Sequence, residues 1–211
     1  MSDPVGDGIV ASFPRPGGNV TGFTNVEASM GGKWVEILKE LAPVVTRVGF
    51  LFNPSTAPDG GSFFLRPFEA AAPSFQVRPI AMPVEDAADI ERALASLGVG
   101  GNGGLIVNSD IFAARNRAAI IAAAARQHVP AIYPFVLFVA EGGLIAYGTE
   151  GKDLFRRAAS YVDRVLRGEK PANLPVQAPV KFELGVNLRT ARTLGLDVPP
   201  TLLVRADEVI E

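Results

Sequence analysis

Cysteine is absent from the chain, so disulfides, thiolate metal sites and thiol nucleophiles are excluded. Histidine occurs once, at His128, which excludes a multi-histidine metal centre. Its place before Val129 and Pro130, where a helical pattern stops, suits an imidazole at a helix C-terminus. No uninterrupted apolar run approaches the ~18 residues of a membrane-spanning helix; the longest, residues 118–125, is short and alanine-rich. Basic clusters do not exceed pairs such as Arg156-Arg157, and the formal net charge is −2, so no nucleic-acid footprint is present. The opening residues MSDPVGDGIV have neither a basic n-region nor an apolar h-region and do not read as a signal peptide. A glycine-rich run at 100–104 precedes a strand pattern and lacks a following Lys-Ser/Thr, the wrong order for a phosphate cradle.

What is present is a globular composition of 211 residues, 48% hydrophobic and 20% charged, enough for one large domain or two small ones. The stretch RVGFLFNPS organises the rest. Residues 48–52 are an apolar run rich in β-branched and aromatic types, the profile of a strand buried on both faces of a parallel sheet. It stops at Asn53-Pro54-Ser55, since proline cannot continue the ladder. The same grammar recurs at 105–107, followed by Asn108-Ser109-Asp110, and at 131–133, followed by Pro134. In open α/β sheets ligands bind beyond the carboxyl ends of the strands, so three such tips outline a binding edge.

Helical periodicity is clear over 27–41, where Met30, Trp34, Ile37, Leu38 and Leu41 share one face, and over 152–166. Further helices are expected at 62–72 (interrupted near Pro67), 86–97, 111–127 and 188–194, with helical turns at 135–140 and at the C-terminus. Strands are expected at 76–81, 144–147 and 182–187. Residues 5–12 read as a short helix with Asp3 as N-cap and Pro4 at the first position. Strands alternating with helices predict a doubly wound, mainly parallel α/β sheet. After Gly168 a proline-rich linker begins, and the tail beyond it is expected to pack on something other than this sheet.

The candidate side chains each have a plain structural reading beside a functional one. Asn53 and Ser55 are either turn formers or ligand contacts. Asp110 either caps the helix beginning at Ile111 or holds a ligand amino group. Tyr133 and Tyr147, ending apolar strands, either pack or offer stacking area to a ligand. Asp3, Asp86, Asp110 and Glu141 show no spacing that pairs two carboxylates for acid–base work.

Read in order, DPVGDGIVASFPRPGGNVTGF, GKWVEILKELAPVVTRVGFLFNP, HVPAIYPFVLFVAEGGLIAYG, DLFRRAASYVDRVLRGEKPANLPVQAPVKFELGVNLRTARTLGL and PPTLLVRADEVIE resemble the substrate-binding proteins of ABC-type importers. The similar branch is the one related to tryptophan- and aromatic-amino-acid-binding proteins, with a type I periplasmic binding fold. The resemblance implies a non-enzymatic module without cofactor or metal, capturing a small solute, an amino acid and possibly an aromatic one, between two lobes. It implies a membrane permease as partner and a periplasmic or extracellular location. It also implies that most of the first lobe is lacking, as in a truncated member or a reading frame whose start is placed too late. Residues 1–23 would then be a remnant of that lobe and a crossover, 24–150 the second lobe, and 151–211 a helix, linker and tail returning toward the first. An exposed surface left by the missing lobe would promote self-association.

By position the resemblance makes Ser2 and Asp3 a strand-tip remnant facing the ligand, and Asn53, Ser55, Asn108, Asp110, Tyr133 and Tyr147 the second lobe's contributors. Asn53 and Ser55, with a following helix N-terminus, would meet a carboxylate, Asp110 an ammonium group, and the tyrosines an apolar or aromatic side chain. Relatives usually carry Pro-Asp-Pro where this chain has Asn108-Ser109-Asp110, which implies a different ligand. The competing readings are a flavodoxin-like α/β enzyme, which needs a nucleophile–base pair, metal cluster or phosphate loop; a two-lobe sensor, which needs a DNA-binding headpiece; and a nonfunctional fragment.

Overall fold

The computed structural model describes residues 3–211. In chain order its elements are α1 (Met30–Leu41), β1 (Arg47–Phe52), α2 (Ser62–Ala71), β2 (Arg78–Pro83), α3 (Ala87–Gly98), β3 (Gly103–Val107), α4 (Ile111–Arg115) and α5 (Arg117–Arg126). They continue with β4 (Ala131–Tyr133), α6 (Val136–Ala140), β5 (Ile145–Thr149), α7 (Gly151–Leu166), β6 (Phe182–Asn187), α8 (Leu188–Thr193), α9 (Pro200–Arg205) and β7 (Glu208–Ile210). The chain forms two compact units, Met1–Glu27 with Thr149–Phe182, and Ala28–Gly148 with Glu183–Glu211.

The larger unit is built on a seven-stranded sheet in the order β2-β1-β3-β4-β5-β6-β7. β1 pairs in parallel with both β2 and β3, β3 with β4, β4 with β5, and β6 with β7. This is the doubly wound arrangement that the strand–helix alternation predicts. The central strands are buried on both faces, and alternation along β1 divides the core. Phe50 lies between Trp34 and Phe68, its ring 5.6 Å from that of Phe68 and 6.4 Å from that of Trp34, which in turn lies 5.2 Å from Phe64. Leu51 belongs to the opposite cluster with Ile90, Leu94, Leu105, Ile120 and Phe138. Helices cover both faces because each strand alternates apolar residues to both.

Several expected elements shift for local reasons. The helix expected over 111–127 breaks at Asn116, whose side chain donates to the Phe112 carbonyl. Pro67 does not interrupt α2. The helix expected over 5–12 is a series of turns, because Gly8 takes a left-handed conformation; Asp3 nevertheless caps that turn, its Oδ1 accepting the Gly6 N–H at 2.9 Å. The tail is a larger correction. Rather than packing away from the sheet, it supplies β6 and β7, and Asp207 anchors them by accepting the Leu184 N–H at 2.8 Å.

In the smaller unit, α7 packs its Tyr161 ring 5.0 Å from Phe23, and the Arg157 guanidinium lies 5.0 Å over the same ring. A bridge joins Phe23 to Gln177, and the Tyr161 hydroxyl donates to the Pro175 carbonyl at 2.8 Å. Thr21, Phe23, Tyr161, Val162, Val165 and Leu166 line an apolar groove of about 300 Å³. Phe155 and Leu166 on α7 are 81% and 82% exposed.

Contact between α1 and α2 depends on Gly31, where an added Cβ would stand 2.4 Å from the Phe64 carbonyl oxygen. Backbone cannot yield as a side-chain tip can, so Gly31→Ala is expected to lower unfolding stability by ~1–3 kcal/mol, read as a reduced urea midpoint with unchanged slope.

Candidate functional site

The carboxyl ends of β1 and β3 carry a buried polar cluster of Asn53, Asn108 and Asp110. Asn53 is 6% exposed and Asn108 fully buried. Each member arises from its strand's abrupt end. Pro54 stops β1, and Asn53 closes the turn by accepting the Ser55 and Thr56 N–H groups on Oδ1 at 2.9 and 3.2 Å. Its Nδ2 donates to the Val84 carbonyl at 2.9 Å, which ties the tip of β1 to that of β2.

Asp110 plays the corresponding part for β3. Its Oδ1 accepts the Ala113 N–H at 2.7 Å as N-cap of α4. Its Oδ2 accepts from Asn108 Nδ2 at 3.1 Å and, more distantly, from the Asn53 N–H at 3.4 Å. The Asn108 N–H meanwhile donates to the Leu51 carbonyl at 2.9 Å. One carboxylate thus links a helix start, its own loop and the neighbouring strand's tip. Asn108 Oδ1 is left as a buried acceptor without a protein donor.

The sequence-derived candidates are distributed as follows. Asn53, Asn108 and Asp110 are brought into direct hydrogen-bond contact, and Ser55, exposed, hangs from Asn53 by its N–H. No helix starts directly after Ser55: a short 3-10 turn, Pro58–Gly61, precedes α2. Tyr133 is 1% exposed, its ring stacked 5.0 Å from that of Phe138. Burial pushes its phenol pKa well above the ordinary value. Tyr147 is half-buried inside β5, which runs on to Thr149 rather than ending there, and its carbonyl accepts the Trp34 indole N–H at 2.8 Å. Asp3 belongs to the smaller unit, and Ser2 lies outside the described residues.

Two side chains at these tips escaped the sequence reading. Phe112 follows the Asp110 cap, and Phe135 follows Pro134 at the end of β4; both are only partly buried against the core. The sequence pattern starts a helical turn at Phe135, whereas in the structure that residue stands in extended conformation before α6. The signal available was the aromatic residue directly beyond a strand-stopping proline. Among the described residues, no group of three or more His, Cys, Asp or Glu is placed to hold a metal.

A family model described as ABC transporter substrate binding protein matches residues 1–210. A tyrosine-binding protein of Clostridioides difficile (strain R20291) is 24% identical over 196 residues, 93% of this chain. The chain spans 55% of that relative's length. Among solved structures, an ABC domain from Streptococcus pneumoniae in complex with L-Trp superposes with a TM-score of 0.88 at 25% identity, covering 99% of this chain and 69% of that one. A conserved domain protein from Vibrio cholerae superposes at 0.87 with 24% identity over 99% of this chain and 69% of that one. The fold is thus the type I periplasmic binding fold.

Because the Asp110 carboxylate satisfies three donors, Asp110→Ala removes a cap and strands the amides beside it. A loss of ~2–3 kcal/mol in unfolding stability is expected from the two effects, measured by denaturant titration without ligand; an unchanged midpoint would place Asp110 outside the clamp.

Proposed function

We propose, from the premise that this chain belongs to the ABC transporter substrate binding protein family, that it captures an amino acid with an aromatic side chain and hands it to a membrane permease without chemically altering it. The observation that carries this reading is the polar cluster of Asn53, Asn108 and Asp110 at adjacent strand tips, on a fold whose relatives include a protein solved with L-Trp and one named for tyrosine. Short polar groups at the carboxyl ends of a parallel sheet are where such folds meet small solutes.

Within this reading, Asn53 and Asp110 present a rigid polar floor for the ligand's ammonium and carboxylate, and exposed Ser55 adds a hydroxyl at its rim. Asn108 is fully buried and supports this floor from behind, its Nδ2 holding the Asp110 carboxylate at 3.1 Å. The set assigned by resemblance also includes Asp3, Asn108, Tyr133 and Tyr147. The proposal extends to location, outside the cytoplasmic membrane; among the described residues no helix is long and apolar enough to cross one. It extends also to self-association, supported by the exposed Phe155 and Leu166 beside the groove on α7. Light scattering that finds one monomeric mass at all concentrations would overturn that part.

The binding proposal is tested by thermal shift and calorimetry on the purified chain with L-Trp, L-Tyr, L-Phe, L-Leu and glycine. At a hundred times its dissociation constant, a bound amino acid is expected to stabilise the fold by about 2.7 kcal/mol. A cooperative melt that none of the five moves would overturn the amino-acid reading.

A further inference from the structure

We propose that the ligand's side chain is read by Phe112 and Phe135, at the tips of β3 and β4, and that Tyr133 is a core residue without ligand contact. The proposal rests on the amino-acid reading above and names the residues that set its side-chain class.

Tyr133 is poorly placed to stack on a solute. Its ring faces Phe138 with an interplanar angle of 21°, and the Gly143 backbone lies so near that a Cβ there would come within 2.8 Å of a ring carbon. With 1% of its surface exposed, it offers neither a ring face nor a hydroxyl to a ligand without core disruption.

The two phenylalanines have the opposite character. β3 and β4 are parallel neighbours, with Leu105 opposite Ala131 and Ile106 opposite Ile132, so their tips lie side by side at the ~4.8 Å spacing of adjacent strands. Phe112 stands two residues beyond Asp110, in the first turn of α4, and Phe135 two residues beyond Tyr133. Both pack one part against the core while remaining partly accessible. The Phe135 turn is fixed from behind, since β5 approaches so closely that a Cβ on Gly148 would stand 1.8 Å from the Pro134 carbonyl oxygen. Anchored but accessible rings, on the segments that follow two neighbouring strand ends, match the composition of small-molecule sites, largely apolar with a few placed polar groups. Phenylalanine carries no hydrogen-bonding atom, so this pair selects a ring or bulky apolar side chain by shape and stacking. It supplies no partner for a ligand hydroxyl.

Calorimetry with L-Trp, L-Phe and L-Leu on the full chain and on Phe135→Ala, Phe112→Ala and Tyr133→Phe tests the assignment. Each alanine variant is expected to weaken L-Trp and L-Phe binding by about tenfold or more. Tyr133→Phe is expected to change the melting temperature rather than the affinity. Should Phe135→Ala fail to fold, Phe135→Leu keeps the packing and is expected to reduce the preference for L-Phe over L-Leu. Alanine variants within about twofold of the parent, or a Phe135→Leu variant with unaltered preference, would overturn the assignment, as would an affinity loss in Tyr133→Phe matching theirs. A parent chain that binds none of the three would instead overturn the amino-acid reading itself and the assignment with it.

Discussion

The candidate site depends on the Asp110 carboxylate. The ends of two parallel strands carry unmatched backbone groups and two buried amides, none of which has water to turn to. Asp110 meets this need in three directions, toward Ala113, Asn108 and Asn53. A charged acceptor makes stronger hydrogen bonds than a neutral one, so the loops after β1 and β3 are held in one register. The site inherits its shape from this constraint, as Ser55 and Phe112 each lie two residues from a member of the cluster.

Much of the architecture was legible in the chain because parallel-sheet strands have a strong signature. Residues 48–52 and 105–107 are apolar throughout, and only burial on both faces makes such runs stable as strands. The amphipathic face of α1 was equally plain, since Trp34, Ile37, Leu38 and Leu41 repeat at helical spacing and all are buried. Less legible were features that depend on distant partners. β7 is short and carries exposed Glu208 and Val209; it is a strand only because β6 lies beside it, and β6 in turn needs the edge that β5 presents. Tail residues without periodicity gave no hint of that pairing. The break at Asn116 similarly follows from a side chain competing for a backbone carbonyl, which apolar spacing does not report.

For the site, the sequence located the strand tips but not the orientation of what stands on them. Residue type leaves Asp110 between helix cap and ligand partner, and the geometry displays the cap. Tyr133 and Phe135 differ by two positions, yet one is enclosed by Phe138 and Gly143 while the other remains accessible. Residue type alone favoured the tyrosine, whose hydroxyl suggested recognition. Where a strand-end ring lies depends on the packing around it, which residue type does not report.

The single tryptophan gives this architecture a built-in optical probe. Trp34 is fully buried in α1, and its indole N–H is donated to the Tyr147 carbonyl of β5. Indole emission responds to that hydrogen bond and to the polarity around the ring, so its spectrum is tied to the seating of β5 against α1. β5 is also the strand from which the chain leaves the larger unit at Gly148. A solute that disturbed this strand would register in the emission without touching the indole, and one that left it in place would be optically silent.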